Sequence, residues 1–234
     1  MKELAKRFKK AKIDTVIVIS PHAPTSYEHF NINASEKMES GLQQIGDFET
    51  KLEFETDKDF VKKLAEAVKN AGRFKLEQIQ SPILDYGTVV PLYYLSKNSP
   101  KIKTVSLSFS MIGLKEHFEY GKIIGNVCEK LNKKIALIAS GDLSHRLTPE
   151  APAGFSKRGK EFDKKLAELL NNKDTQGILN LDENLIEEAG ECGLRSITIL
   201  LGALDGKNYK IDIISYEGPF GVGYLVAELN LMNF

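Results

Sequence analysis

Hydrophobic positions along the chain form two patterns, short continuous runs and longer stretches with helical spacing. A continuous run of β-branched and aliphatic residues is typical of a strand that is buried on both faces. Residues 15–19 and 134–139 therefore predict two interior strands. Residues 104–110 alternate hydrophobic residues with serines and predict a third strand.

Helical spacing predicts several amphipathic helices. In residues 57–72, Phe60, Leu64 and Val68 repeat every four positions, and Gly72 is a typical helix stop. Similar patterns predict further helices over residues 88–95, 114–131, 162–170 and 193–204. The chain closes with two predicted strands, over residues 209–216 and 222–229.

Strands that alternate with helices predict an α/β fold. We expect a single domain over residues 1–234, with a mostly parallel or mixed central sheet, helices on both faces and an antiparallel pair of strands at the C-terminal end. No Pro- or Ser-rich linker, charge block or internal repeat divides the chain. Residues 25–56 are polar and acidic with weak periodicity, and such a segment predicts a functional lid or binding loop.

Composition narrows the classes of partner. Lys plus Arg equals Asp plus Glu at 32 each, so charge gives no reason to expect a nucleic acid or an anionic membrane as partner. The two cysteines, Cys128 and Cys192, form neither a disulfide framework nor a CxxC metal motif. The N-terminus is too charged for a secretory signal, and no run approaches about 18 apolar residues. We therefore expect a cytoplasmic protein.

Three polar clusters follow or precede predicted elements at one edge of the sheet. They contain His22 after the first strand, Asp142 and His145 after the strand at 134–139, and Glu191 before the last long helix. Ligands bind beyond the carboxyl ends of strands in such sheets. Two histidines and a carboxylate match the composition of a 2-His-1-carboxylate site for Fe(II).

Each of these residues also has a structural interpretation. His22 alone is compatible with a hydrogen-bonded loop histidine, and Asp142 with a helix cap beside His145. Glu191 alone is compatible with a first-turn carboxylate that the helix dipole favours. Ser144 directly precedes His145, which is a poor arrangement for a serine nucleophile and its base.

Six segments carry a resemblance to a known family: SPHAP, LDYGTVVPLYYL, IASGDLSHRL, EFD, AGECGLRSITILLGALDG and SYEGPFGVGY. They resemble the class III extradiol ring-cleavage dioxygenases, which include the catalytic subunit of protocatechuate 4,5-dioxygenase. The nearest likeness is to the dioxygenase-like domain of AmmeMemoRadiSam system proteins, and Memo-like proteins are also related. The resemblance covers nearly the whole chain. It implies non-haem Fe(II), a catechol-type aromatic diol and O₂, with a homo-oligomer as a possible assembly.

The resemblance also implies residue roles. His22 corresponds to a histidine ligand, Glu191 to the carboxylate ligand, and His145 to the histidine that exchanges protons with the substrate. Asp142 belongs to the same GDLSH motif and is a catalytic candidate. Tyr86 stands where the family commonly has the histidine of Asp-His-Gly, and a phenol with a pKa near ~10 donates a hydrogen bond but is a poor base at neutral pH.

The chain departs from the family pattern at one further point. The first histidine ligand of the family follows an earlier strand, and 14 residues precede Thr15 here, so we expect this strand and its ligand to be absent and the iron to be held weakly. Memo-like proteins have a cysteine in the metal site, and a Cys192 thiolate would favour Zn or Cu(I). We favour Glu191 as ligand over Cys192.

Three functions therefore remain open. The first is an extradiol dioxygenase with an Fe(II) site. The second is a non-catalytic binding or assembly module on the same fold. The third is a Memo-like zinc protein that uses His22 and Cys192, with His29 as a further candidate ligand.

Overall fold

The computed structural model describes residues 1–40, 42–96 and 102–232. The strands are β1 (Thr15–Ser20), β2 (Phe30–Asn33), β3 (Lys37–Ser40), β4 (Glu53–Thr56), β5 (Leu76–Ile79), β6 (Ile83–Leu84), β7 (Lys103–Ser108), β8 (Ile135–Ala139), β9 (Tyr209–Glu217) and β10 (Tyr224–Leu231). The helices are α1 (Lys2–Ala11), α2 (Lys58–Ala71), α3 (Tyr86–Ser96), α4 (Leu114–Lys130), α5 (Lys157–Asn171), α6 (Thr175–Leu179), α7 (Glu183–Ala189) and α8 (Leu194–Ala203). Leu42–Ile45 and Pro219–Gly221 form short 3₁₀ helices.

The main sheet has eight strands and is mixed. Strand β1 lies between β7 and β8 and is parallel to both, so the three strands end at the same edge. The other edge of β7 pairs in parallel with β4 and in antiparallel orientation with β2. The mixed central sheet confirms the predicted fold class, and the shared carboxyl edge places the residues that follow β1 and β8 side by side.

Hydrophobic side chains cover both faces of this sheet. In β1, Ile17 and Ile19 join the core beneath α2 and α4, while Val16 and Val18 join the core beneath α1 and α3. The continuous apolar run predicted a strand buried on both faces, and the structure confirms it, because every residue of β1 is buried. Helices on both faces were therefore also predicted correctly.

Strand β8 differs from β1 although its sequence is equally apolar. Its side chains also pack into both cores, yet all five residues remain partly exposed. Among the strands that the structure describes, only β1 pairs with β8. The exposure of β8 therefore arises along its unpaired edge.

Helix α2 shows why the predicted boundaries were accurate. Asp57 accepts a hydrogen bond from the Phe60 amide and caps the first turn, and Gly72 ends the helix in a left-handed conformation. Strands β7 and β8 and helices α3, α4, α5 and α8 also lie where the patterns predict them. The C-terminal strands β9 and β10 form the expected antiparallel pair, as a separate two-stranded sheet.

The prediction for residues 25–56 was wrong in part. This segment contains β2, β3 and β4, and these strands join the main sheet rather than forming a lid. They are four residues each, and each has at least one partner distant in sequence, as in the pairing of β4 with β7. None of the helices in the described residues is long and apolar enough to cross a membrane.

Candidate metal centre

The candidate site lies at the carboxyl edge of β1 and β8. The chain leaves β1 at Ser20 and reaches His22 after one proline, and it leaves β8 at Ala139 and reaches Asp142. The Ser140 amide donates to the Ile19 carbonyl at 2.9 Å, which continues the β1–β8 pairing into the loop. The two strands thus fix where both loops begin.

A close backbone contact joins the loop after β8 to the loop before α8. Gly141 has φ +145°, and a Cβ at this position would lie 2.5 Å from the Gly193 Cα. The amides of Cys192 and Gly193 both donate to the Asp142 carbonyl, at 3.2 and 2.9 Å. Only glycine fits this contact without strain, and the contact brings Cys192 next to Asp142.

Three potential metal ligands converge at this contact. One donor atom each of Asp142, His145 and Cys192 lies within 4.8 Å of the other two, and this is the only such group of three that the described residues form. The His145 Nε2 is 3.4 Å from the Asp142 Oδ2 and 4.0 Å from the Cys192 Sγ. Metal bonds of 2.0–2.3 Å in tetrahedral geometry separate ligand atoms by about 3.5 Å. The cluster therefore fits a divalent metal with small adjustments.

Hydrogen bonds outside the cluster orient its members. The His145 Nδ1 bonds to the Gly190 carbonyl, which leaves Nε2 as the nitrogen that faces Asp142 and Cys192. The Asp142 amide donates to the Cys192 Sγ at 3.1 Å. A backbone carbonyl on the second ring nitrogen is the usual way to fix a metal-binding histidine.

The groups of the cluster change the pKa of His145. The Asp142 carboxylate and the Cys192 sulfur raise the pKa of His145 from 6.5 to about 10, against the opposing effect of burial. Without a metal, the imidazole would therefore carry a proton at neutral pH. The Asp142 carboxylate and the Cys192 sulfur therefore favour binding of a cation, either a proton or a metal ion.

His22 and Tyr86 form a pair beside the cluster. The Tyr86 hydroxyl lies 2.8 Å from the His22 Nε2, and the two rings are tilted with centroids 4.2 Å apart. Burial raises the pKa of Tyr86, and the charges of Cys192 and Asp142 raise it further. Tyr86 is thus near enough to the cluster to respond to its charge and remains a neutral phenol at physiological pH.

Glu191 adopts the structural role that the sequence allowed for it. Its Oε2 accepts a hydrogen bond from the Leu194 amide at 2.6 Å, at the start of α8. Burial raises the pKa of Glu191, while this amide and the charge of Arg195 partly offset the effect. The structure therefore places Glu191 next to the cluster in sequence but outside it, and its role as a ligand stays a prediction.

Two other residues that the sequence analysis considered lie elsewhere. His29 bonds to Ser26 through Nδ1 and to Glu77 through Nε2, so both ring nitrogens have partners away from the cluster. Cys128 lies on α4 and packs, partly buried, against the core between the sheet and helices α2 and α4, where burial raises its pKa to about 12. Of the two cysteines, Cys192 is the one placed for metal binding.

The sequence analysis also missed a cavity next to His22. It measures about 200 Å³, and Asn31, Ser106 and Ser108 are among the residues that line it. The sequence contains a pattern that could have predicted this cavity. Serines and asparagines alternate with hydrophobic residues near the strand ends, and such polar residues are unusual inside a core. Strand β2, which carries Asn31, was not predicted, because it lies in the segment that we expected to be a loop.

Comparison with known proteins identifies the class of protein. A family model described as "Catalytic LigB subunit of aromatic ring-opening dioxygenase" matches residues 1–227. The chain therefore belongs to this family, as the sequence motifs predicted. A solved structure, of an uncharacterized protein (JW3007) from Escherichia coli K12, superposes with a TM-score of 0.70 at 18% identity and covers 97% of this chain and 92% of that one. At this identity it supports the fold alone.

The chain is also similar in sequence to three named proteins. Protein CA_C1420 of Clostridium acetobutylicum is 31% identical over 94% of this chain, which spans about half (49%) of that protein's length. The 3,4-dihydroxyphenylacetate 2,3-dioxygenase of Escherichia coli is 26% identical, with 89% of this chain and 80% of the relative covered. The 2-aminophenol 1,6-dioxygenase beta subunit of a Pseudomonas species is 27% identical, with 95% and 79% covered.

Proposed function

We propose that the protein is a non-haem Fe(II) dioxygenase that opens the ring of a catechol-type aromatic diol next to its hydroxyl groups, with O₂ as oxidant. The observation that carries this proposal is the convergence of Asp142, His145 and Cys192 at the carboxyl edge of the sheet. Membership of the ring-opening dioxygenase family supports the reaction class. The names of two relatives support an aromatic substrate.

Asp142, His145 and Cys192 would hold the metal. A carboxylate and an imidazole suit Fe(II), and the thiolate adds negative charge to the site. His22 is our further candidate ligand, because its ring contacts Tyr86 beside the cluster. Glu191 is the weaker candidate, since the Leu194 amide already engages its carboxylate. The bound metal would supply coordination of the diol and of O₂ and electron transfer between them.

The remaining residues would position and move protons. The Tyr86 hydroxyl lies 2.8 Å from the His22 Nε2 and 3.2 Å from its Nδ1, so this contact would orient the His22 ring. A neutral imidazole can take a proton from a diol hydroxyl, whereas a phenol whose pKa burial raises cannot. We therefore assign proton transfer to His22 if it is not a ligand, and hydrogen-bond donation to Tyr86.

The test begins with metal content. The protein is loaded with Fe(II) without oxygen, passed through a desalting column, and assayed for iron and then for O₂ uptake and ring-fission absorbance with catechol. Because Asp142, His145 and Cys192 together offer three ligands, we expect iron retention and turnover in the wild type and in Cys128→Ser, in place of the weak binding expected from the sequence. Cys192→Ser should lose both. Wild-type protein that holds iron but consumes no O₂ with any of a panel of substituted catechols would contradict the proposal.

A second candidate function is a zinc-binding relative without oxygenase activity. The observation that favours it is the Cys192 Sγ within the cluster, because thiolate ligands favour Zn over Fe(II). Equimolar Zn(II) and Fe(II) offered together discriminate the two functions. A protein that takes up zinc only, and that shows no O₂ uptake after forced iron loading, would establish the second candidate.

We also propose where a further strand of the family type would join the sheet. Among the described residues, β1 is the one strand that pairs with β8, and a parallel strand added at the other edge of β8 would end next to Ser140 and Asp142. A ligand on such a strand would enter the cluster. Hydrogen exchange tests the premise, since the outward amides of β8 should exchange faster than those of β1. Equal protection of both strands would show that the edge is already covered.

A further inference from the structure

Tyr224 begins β10 directly after a glycine that is bonded to the loop of the candidate metal ligands. The Gly223 amide donates to the Ser144 carbonyl, and the Gly223 carbonyl accepts from the Leu143 amide, both at 2.9 Å. Two of the three cluster residues lie directly before and after this dipeptide in sequence. The two bonds therefore hold the start of β10, and with it the backbone of Tyr224, against the loop that carries the cluster.

The alternation of side chains in β9 and β10 sets the direction of the Tyr224 side chain. A Cβ added to Gly223 would meet the Asp163 carboxylate, and the Tyr216 hydroxyl donates to the same carboxylate at 2.6 Å. Tyr216 pairs with Leu225, which packs against the core formed by α5, α7 and α8. Successive residues of a strand point to opposite faces, so Tyr224 points away from Asp163 and from this core.

The Tyr224 side chain lies near the cluster. Burial raises its pKa, and the charges of Asp142 and Cys192 raise it further. Burial and the same two groups raise the pKa of Tyr86, to which Tyr224 also contributes. Electrostatic effects weaken with distance, so both phenols are close to the cluster and to each other. Both keep their proton at neutral pH.

The two phenols differ in their hydrogen bonds. The Tyr86 hydroxyl is engaged by the His22 ring, with its Nε2 at 2.8 Å. The Tyr224 hydroxyl bonds to no residue in the part of the chain that the structure describes, and Tyr224 is 38% exposed. A neutral phenol has one proton to donate. Of the two phenols, Tyr224 is therefore the one whose proton is available to a ligand at the cluster.

We propose that Tyr224 is a substrate-binding residue of the candidate metal centre, and that its hydroxyl donates a hydrogen bond to an anionic oxygen of the ligand bound there. An aromatic diol that has lost one proton presents such an oxygen, and hydrogen bonds to charged oxygens are roughly twice as strong as neutral ones. The inference rests on the proposed function for the identity of the ligand. This role is additional to those assigned to His22, His145 and Tyr86.

The experiment measures ligand binding separately from metal binding and from turnover. Wild type and Tyr224→Phe are loaded with Fe(II) or with Zn(II), which has no redox chemistry, and catechol is titrated calorimetrically without oxygen. We expect both proteins to bind each metal with the same affinity. Tyr224→Phe should bind catechol about 10-fold more weakly than the wild type, the scale of one hydrogen bond to a charged group.

Tyr94→Phe is the matched control. Tyr94 is also partly exposed, at 49%, and it lies about two turns after Tyr86 along α3. This variant should bind catechol as the wild type does. A measurement on the wild type covers the case in which Tyr224→Phe fails to fold. In protein labelled with ¹³C-tyrosine, the Tyr224 Cζ resonance should shift when catechol binds, and the Tyr94 resonance should not.

Three results would overturn the role of Tyr224. They are equal catechol affinities in the wild type and Tyr224→Phe, no catechol binding by the wild type with either metal, and loss of metal from Tyr224→Phe, which would make the phenol a support of the cluster. Weaker catechol binding in Tyr224→Phe, in a protein without O₂ uptake, would refute the proposed reaction and leave the role of Tyr224 standing. Turnover of catechol with the same KM and kcat in Tyr224→Phe would do the reverse.

Discussion

His145 and His117 place the same imidazole in two regions that treat its charge in opposite ways. His145 faces a carboxylate and a thiol, which raise its pKa to about 10. His117 is fully buried against the rings of Phe30 and Phe109, with centroids 5.3 and 6.1 Å away. Burial lowers the pKa of His117 to about 4.

The hydrogen bonds of the two rings agree with this difference in pKa. His117 Nδ1 donates to the Gly113 carbonyl at 2.7 Å, and its Nε2 accepts from the Ser110 amide at 3.3 Å, so a neutral ring is fully satisfied. His145 bonds to a backbone carbonyl through one nitrogen only and turns the other toward ionisable groups. The comparison teaches that His117 is a structural residue and that His145 is placed to bind a cation.

The largest expected effect is on metal binding at His145. We predict that His145→Ala lowers metal affinity by more than about 100-fold, because loss of a ligand should exceed the 10–100-fold effect of losing its hydrogen-bond partner. Turnover should fall by ~10²-fold or more. Equilibrium dialysis with the metal checks the first number. His29→Ala, which removes a histidine outside the cluster, should bind metal as the wild type does. Full metal retention with lost turnover in His145→Ala would assign His145 to proton transfer instead, as the family resemblance implied.

The second effect concerns stability and His117. The pKa of about 4 in the folded state lies below the ordinary value of 6.5, so between these values the unfolded chain binds a proton that the folded protein does not. Stability should therefore fall as the pH drops from 6.5 toward 4, by up to about 3 kcal/mol. Urea unfolding at both ends of this range measures it. His117→Gln should be less stable at pH 7 and less sensitive to acid, and parallel losses in both proteins would contradict the account of His117.

The smallest effect is expected at Tyr86. Tyr86→Phe removes the hydroxyl that hydrogen-bonds to the His22 ring and should lower turnover about 5-fold, the scale of one neutral hydrogen bond, without loss of metal. Tyr86→His restores the residue that the family commonly has and should raise activity, because an imidazole can accept a proton at neutral pH. A loss of metal in Tyr86→Phe would show that the phenol supports the cluster rather than the substrate.

The sequence predicted the elements that are determined locally. Strands β1 and β8 are continuous apolar runs, and α2 has both its cap at Asp57 and its stop at Gly72. Strands β2, β3 and β4 were not predictable, because each has four residues and pairs with at least one strand far away in sequence. Helix α1 and the short helices α6 and α7 were also not predicted.

The candidate site, like the fold, was predicted from the sequence only in part. Its position at the sheet edge followed from the order of the strands, and the family motifs pointed to His22 and His145. The sequence analysis favoured Glu191 over Cys192 as ligand, and that choice stays a prediction. The sequence does not show how these adjacent residues are oriented: the contact between Gly141 and Gly193 brings Cys192 toward Asp142, and the Leu194 amide engages Glu191.

X-ray absorption at the metal edge tests the central claim most directly. In the metal-loaded wild type we predict one sulfur scatterer at about 2.3 Å, together with nitrogen or oxygen ligands at 2.0–2.2 Å. Cys192→Ser should lose the sulfur shell, and Cys128→Ser should keep it. A bound metal surrounded by nitrogen and oxygen alone in the wild type would contradict a centre built on Asp142, His145 and Cys192.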